Sequence, residues 1–127
     1  PVTASETGYL AAIAAMERLG DAHAAITAYS AFLDRWPDNI AASVGLANGH
    51  YALRELEAAA AVLRRALARH PDAVVVLNNL AQTLSDLGRN DEALALIERA
   101  AAPGESPFAA TVRETRALIL QRMANSK

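Results

Sequence analysis

The 127-residue chain contains no cysteine, which excludes disulfide bonds and thiol chemistry within it. Its formal net charge is only −2, so it lacks the excess of basic residues that nucleic acids or anionic membrane surfaces attract. No apolar run approaches the roughly 18 residues of a membrane-spanning helix, and no signal peptide is visible. We therefore expect no nucleic-acid partner and no membrane insertion. The compartment, cytoplasmic or periplasmic, stays undecided.

Motifs for enzymatic chemistry are also missing. The sequence has no glycine-rich loop of the kind that cradles phosphate groups, and no serine in the strand–turn–helix context of a nucleophile. His23, His50 and His70 occupy different positions in the pattern described below, and no histidine or carboxylate pair has metal-ligand spacing. We therefore predict that this segment is not an enzyme and that it uses no metal and no cofactor.

A 34-residue period is the most informative pattern that is present. Pro37 and Pro71 lie one period apart, and each is followed by an aspartate. The same spacing relates three sets of three residues: Leu19, Leu53 and Leu87; Ala25, Ala59 and Ala93; and Tyr29, Leu63 and Ile97. A period of about 20 to 50 residues indicates one supersecondary unit that is copied and stacked.

Each unit is predicted to be a pair of helices. Apolar residues between Val76 and Leu87 recur at spacings of three and four, which places them on one helix face. Gly88 ends that helix, and a second apolar stripe follows over 93–100. Prolines end the second helices, and Asp38 and Asp72 are predicted to cap the helices that follow them.

These positions resemble the tetratricopeptide repeat (TPR) pattern W-x2-L-G-x2-Y, then A-x3-F, then P. The residues that carry the resemblance in the third unit are Leu77, Leu80, Ala81, Leu84, Ala93 and Ile97. The resemblance implies an all-α, right-handed α-solenoid of three helical hairpins, with repeats at about 6–39, 40–73 and 74–105. A capping helix at about 107–124, begun by Ser106 and Pro107, completes seven helices in a single domain, 1–127.

The first unit departs from the repeat. Phe32 stands where the later units have Ala66 and Ala100, and we expect its bulk to pack against Gly45 and Gly49 of the next helix. At the start of the chain, residues 3 and 6 are a threonine and a glutamate, which have the spacing of a capping box.

In TPR proteins the first helices of successive repeats line a concave groove, so the resemblance implies a peptide-binding groove here. Asparagine and glutamine side chains both donate to and accept from a peptide backbone, which favours the polar inner-face positions. The predicted groove residues are Val44, Asn48, Tyr51, Val75, Asn78, Asn79, Gln82 and Asp86.

TPR domains that clamp the C-terminal carboxylate of chaperones use lysine and arginine together with asparagine in this groove. The corresponding positions are Leu10, Ala14, Gly45, Val75 and Asn79, and none of them is basic. A co-chaperone role is therefore not expected. The basic cluster of Arg64, Arg65 and Arg69 lies on a second helix and is predicted to be a solvated face.

Two functions follow. The first is a non-catalytic module that binds an extended segment of a protein partner, as a monomer or with weak self-association through its end faces. The second is a regulatory or targeting appendage of a larger bacterial enzyme. The run 77–81 and the Arg- and Ala-rich composition resemble C-terminal TPR regions of bacterial papain-like, bacteriocin-leader-type cysteine peptidases. That reading requires a catalytic cysteine and histidine outside these residues, and a start at Pro1 without methionine favours a piece of a longer protein.

Overall fold

The computed structural model describes residues 4–101 and 107–126 of the chain. Within these ranges the fold is all-α, as predicted, with seven helices and no strand. The helices are α1 (Ala4–Arg18), α2 (Ala22–Arg35), α3 (Ile40–Ala52), α4 (Leu56–Arg69), α5 (Val74–Asp86), α6 (Asn90–Ala101) and α7 (Ala109–Asn125).

The helices stack as a solenoid. Each one packs against the next along the chain, and in addition α3 packs along α5 and α5 packs along α7. Helices α3, α5 and α7 therefore lie side by side. All eight predicted groove residues belong to α3 and α5.

Three turns inside the helical pairs repeat one backbone conformation. Gly20 and Gly88 have φ angles of 83° and 84°, and Arg54, midway between them in the period, has a φ of 61°. Glycine adopts this left-handed conformation without steric cost, whereas a side chain at this position costs about 1 to 2 kcal/mol. The turn between α3 and α4 therefore adopts the left-handed conformation with an arginine, although glycine favours it.

The core lies between the paired helices and is densest around α5. Leu80, Leu84 and Ile97 have no exposed surface. The period fails at the first helix, because Leu19 is 86% exposed whereas Leu53 and Leu87 are half-buried. In the described part of the chain no helix covers the outer side of α1, so residues at core positions of the repeat are left in solvent there.

The predicted caps at Asp38 and Asp72 are wrong by one residue. The side chain of Asn39 caps α3 by accepting a 2.9 Å hydrogen bond from the backbone N–H of Ala42. Ala73 occupies the same position before α5 and supplies no side-chain cap. The carboxylate of Asp38 instead pairs with the guanidinium of Arg69.

The close approach predicted at the two glycines of α3 is present, but Phe32 is not the side chain that uses it. A Cβ atom on Gly45 would lie 2.3 Å from the Tyr29 ring, and one on Gly49 would lie 2.7 Å from Ile26. Phe32 packs instead against Trp36, with ring centroids 4.6 Å apart. The glycines therefore admit side chains that lie about one turn (Tyr29) and two turns (Ile26) earlier on α2 than Phe32.

Both predicted terminal caps involve residues that the structure does not describe, Thr3 and Ser106. At the first helix, Glu6 is buried and accepts a 2.8 Å hydrogen bond from the Asn39 side chain. At the last helix, Phe108 occupies the N-cap position, so α7 begins two residues later than predicted, at Ala109.

Candidate functional site

Four of the predicted groove residues surround one depression between α3 and α5. Asn48 and Tyr51 lie three residues apart on α3, and Asn79 and Gln82 lie three residues apart on α5, so each pair shares a helix face. We call these four residues the amide strip. Ala47, Leu63 and Thr83 complete the lining of the depression.

The depression has a volume of about 100 Å³. Pockets for small ligands and cofactors usually have volumes of about 300 to 1,000 Å³, so this one is too small for them. Its size suits a single side chain, and the surrounding amides can bond to the backbone on either side of that side chain.

A second depression adjoins the first on the side of α1. It has a volume of about 270 Å³, and Asn48 lines both depressions. Its other lining residues are Glu17, Gly20, Ala22, Ala25, Gly49 and Ala52. The two depressions therefore meet at Asn48 of α3, and we call the surface that they form together the groove.

Asp86 was predicted as a groove residue, but it links three helices. The Tyr51 hydroxyl donates a hydrogen bond to one carboxylate oxygen of Asp86, and Arg122 of α7 donates to the other at 2.7 Å. The same Arg122 nitrogen donates to Ser85 at 3.0 Å. The Asp86 side chain is only 8% exposed, so it is not free to contact a peptide.

The partners of Tyr51 also fix its ionisation state. Burial raises the pKa of Tyr51, and the hydrogen bond and charge of Asp86 raise it further. The hydroxyl therefore stays protonated at neutral pH and remains a donor to Asp86. Only the ring of Tyr51 is left to face the groove, with the Arg54 guanidinium 5.8 Å from the ring centre.

Asn78, Val44 and Val75 are predicted groove residues that the structure places elsewhere. Asn78 is 6% exposed, and its amide nitrogen donates weakly to Asn79 at 3.4 Å. Its buried carbonyl oxygen has no partner within the described residues. Val44 and Val75 are half-buried against the core and line neither depression. None of these three residues lines either of the two depressions.

The basic residues of the outer face are engaged with acidic ones. Arg64 makes a bidentate contact with Glu92, at 2.6 and 3.0 Å, and Arg89 donates to Glu57 at 2.9 Å. The hydrogen bond between Arg64 and Glu92 lowers the pKa of Glu92 and raises the pKa of Arg64. Arg65 is exposed on the same helix. This arrangement agrees with the predicted solvated face.

A wider cleft between the starts of α1 and α3 was missed by the sequence-based reasoning. It has a volume of about 690 Å³, and its lining includes Leu10, Trp36 and Ile40, with the buried Glu6 at one wall. The single tryptophan beside Pro37 is the signal that indicates it in the sequence.

The described residues hold no cluster of three or more histidine or acidic side chains that could bind a metal ion. Among the same residues, no helix is both long enough and apolar enough to span a bilayer. The two depressions can form hydrogen bonds through the amides of Asn48, Asn79 and Gln82 and through the carboxylate of Glu17. Mainly apolar side chains line the rest of their surface.

The tetratricopeptide repeat family model matches the sequence twice, over residues 9–74 and 44–110. The chain belongs to the TPR family. No curated protein sequence matches it significantly.

Solved structures show the same fold. The first TPR of Spaghetti (RPAP3), bound to the HSP90 peptide SRMEEVD, superposes with a TM-score of 0.82 and 18% identity, covering 94% of this chain and 93% of that one. The first TPR domain of human RPAP3 superposes with a TM-score of 0.83 and 18% sequence identity, and the coverage of the two chains is the same. MamA superposes with a TM-score of 0.79 and 19% sequence identity. The match covers 93% of this chain and 63% of the MamA chain. At these identities the likeness establishes the fold alone.

Proposed function

We propose that this TPR chain is a non-catalytic interaction module that binds an extended peptide segment along the groove. The observation that carries the proposal is the convergence of Asn48, Asn79 and Gln82 around a small apolar floor, on the shared side of α3 and α5. An extended peptide presents N–H and C=O groups alternately, and amide side chains can pair with both kinds of group. We also propose that α1 to α6 are three repeats of one domain and that α7 caps them.

The affinity expected from this site is moderate. Each neutral hydrogen bond contributes only about 0.5 to 1.5 kcal/mol net, because the free peptide bonds equally well to water. Burial of one aliphatic side chain adds about 1.5 to 3 kcal/mol. These gains are partly offset by the ordering of the peptide, so a micromolar dissociation constant, about −8 kcal/mol, is the expected range.

The peptide in the RPAP3 complex is acidic, and the groove here is not built for an acidic chain end. A carboxylate clamp needs basic side chains, whereas the positions that would supply them hold Leu10, Ala14, Gly45, Val75 and Asn79. The fold that is shared with RPAP3 therefore supports the proposal that this groove binds a peptide. It does not support binding of the same acidic peptide.

Selection from a random heptapeptide display library tests the proposal. We expect the wild type to enrich a consensus peptide, and we expect the triple variant N48A/N79A/Q82A to bind that peptide at least about tenfold more weakly, since about 1.4 kcal/mol is tenfold. The matched control is T27A/S30A/D34A, which removes three exposed polar side chains from α2. Equal binding by both variants, with both folded, would rule out the amide strip as the site.

The alternative, an appendage of a bacterial enzyme such as a cysteine peptidase, stays a prediction. It depends on the run 77–81, and within that run Leu77, Leu80 and Ala81 are core residues, which any TPR needs. The catalytic cysteine that it requires is not among these 127 residues.

A further inference from the structure

The groove carries one carboxylate that no basic side chain neutralises. Glu17, near the end of α1, is exposed and lines the larger depression. Within the described ranges it takes part in no ion pair, whereas the other acidic residue beside the groove, Asp86, is held by Arg122. A negative charge therefore faces the groove at its α1 end.

Glu17 lies close to Tyr29 of α2. Tyr29, which is 4% exposed, points its ring at Gly45. Burial is the main reason that the pKa of Tyr29 is raised, and the nearby Glu17 charge adds to it. The Glu17 carboxylate therefore lies near the Tyr29 hydroxyl while it stays exposed at the groove.

The floor beside Glu17 is apolar and shallow. It consists of Ala22, Ala25, Gly49 and Ala52, whose small side chains leave the volume of about 270 Å³. That volume accommodates one branched aliphatic side chain, and burial of such a side chain is favourable by about 1.5 to 3 kcal/mol. The polar end of the depression is Asn48, which leads to the amide strip.

We propose that the bound segment carries an aliphatic residue next to a lysine or arginine, with the aliphatic side chain in the larger depression and the cation on Glu17. The inference rests on the proposed function, because it concerns the same groove. Charge complementarity selects the occupant: a basic side chain gains an ion pair at Glu17, and an acidic one meets a like charge. No lysine or arginine lines either depression, and Arg54 is held over the Tyr51 ring.

The test begins with the heptapeptides selected by the wild type from the random library. We expect enrichment of lysine or arginine beside an aliphatic residue, and depletion of aspartate and glutamate. With a synthetic consensus peptide, Glu17→Gln should weaken binding about 1.5- to 5-fold, the range for an exposed ion pair. Asp34→Asn, which removes one exposed carboxylate from α2, should leave binding unchanged.

Salt and a charge swap provide two independent readouts. The difference between wild type and Glu17→Gln should vanish near 1 M NaCl, where the Debye length is about 3 Å. Glu17→Lys should weaken binding of the consensus peptide further, and should regain binding when the basic residue of the peptide is changed to glutamate.

The outcomes separate this inference from the proposed function. A consensus without basic residues, or equal affinities of Glu17→Gln and Asp34→Asn variants, would overturn the charge preference while leaving groove binding intact. Binding that survives N48A/N79A/Q82A overturns the groove itself. Failure of the peptide swap to restore binding to Glu17→Lys would overturn direct contact between Glu17 and the peptide cation.

Discussion

Tyr29 lies so close to Gly45 that no side chain fits between them: a Cβ atom on Gly45 would lie 2.3, 2.6 and 2.8 Å from three atoms of the ring. This contact brings α2 against α3 and places the Tyr29 hydroxyl beside Glu17. The absence of a side chain at Gly45 therefore allows the close approach of α2 and α3.

Gly45→Ala should destabilise the protein, although alanine favours helix by about 1 kcal/mol. The new methyl group forces a buried ring to move, and such overpacking costs about 1 to 3 kcal/mol. Gly8→Ala is the matched control, because Gly8 is also helical and has no atom within 4 Å of the added Cβ. Urea unfolding should show a loss for Gly45→Ala and none for Gly8→Ala. Equal stabilisation of both would contradict the close contact.

Leu80→Ala should lower the free energy of unfolding by about 2 to 5 kcal/mol, because Leu80 has no exposed surface and its loss leaves a cavity. Leu19→Ala makes the same chemical change at a residue that is 86% exposed, so its effect should stay within about 0.5 kcal/mol. Thermal unfolding of the two variants distinguishes the core of the stack from its uncovered end. A large loss for Leu19→Ala would show that α1 is covered in solution.

Arg122→Ala should destabilise the protein by about 1 to 3 kcal/mol, since it leaves the nearly buried Asp86 carboxylate without its cation. Arg113→Ala, on the exposed face of the same helix, should change stability by less than about 0.5 kcal/mol. Adding Asp86→Asn to Arg122→Ala should recover part of the loss. Identical unfolding curves for the two arginine variants would show that α7 is not held through Asp86.

Alkaline pH should destabilise the protein through Tyr29 and Tyr51. The pKa of each is raised above its ordinary value near 10, mainly by burial, so the folded state holds these protons more tightly than the unfolded state. Their contribution to stability is complete below pH 10 and is lost as the pH rises through the raised values. The pKa of each tyrosine can be measured from the tyrosinate absorbance during an alkaline titration, by comparing the wild type with the Tyr29→Phe and Tyr51→Phe variants. Ionisation of either residue below pH 10 would contradict its burial.

The period predicted the helices because a repeated apolar stripe is local information, readable from spacing alone. The period does not predict burial, which depends on neighbouring helices. Leu19 has the same spacing as Leu53 and Leu87 but is 86% exposed, and Asn78 has the spacing of a groove residue but is only 6% exposed. The Arg54 turn could not be recognised from residue type, since arginine rarely adopts a positive φ.

The amide strip was predictable because Asn48, Asn79 and Gln82 lie on helix faces that the core leaves free. The proximity of Glu17 to Tyr29 was not, because the spacing predicted Phe32 rather than Tyr29 against Gly45. The spacing of residues along one helix does not predict which side chain of the neighbouring helix packs against them.

Peptide binding along the groove is tested most directly by a titration of the ¹⁵N-labelled protein with its selected peptide, followed by two-dimensional NMR. We expect the side-chain amide signals of Asn48, Asn79 and Gln82, and the backbone signals of α3 and α5 around them, to shift with one common affinity. Shifts confined to the outer helices α2 and α4, with the side-chain amides of the strip unchanged, would contradict binding along the groove.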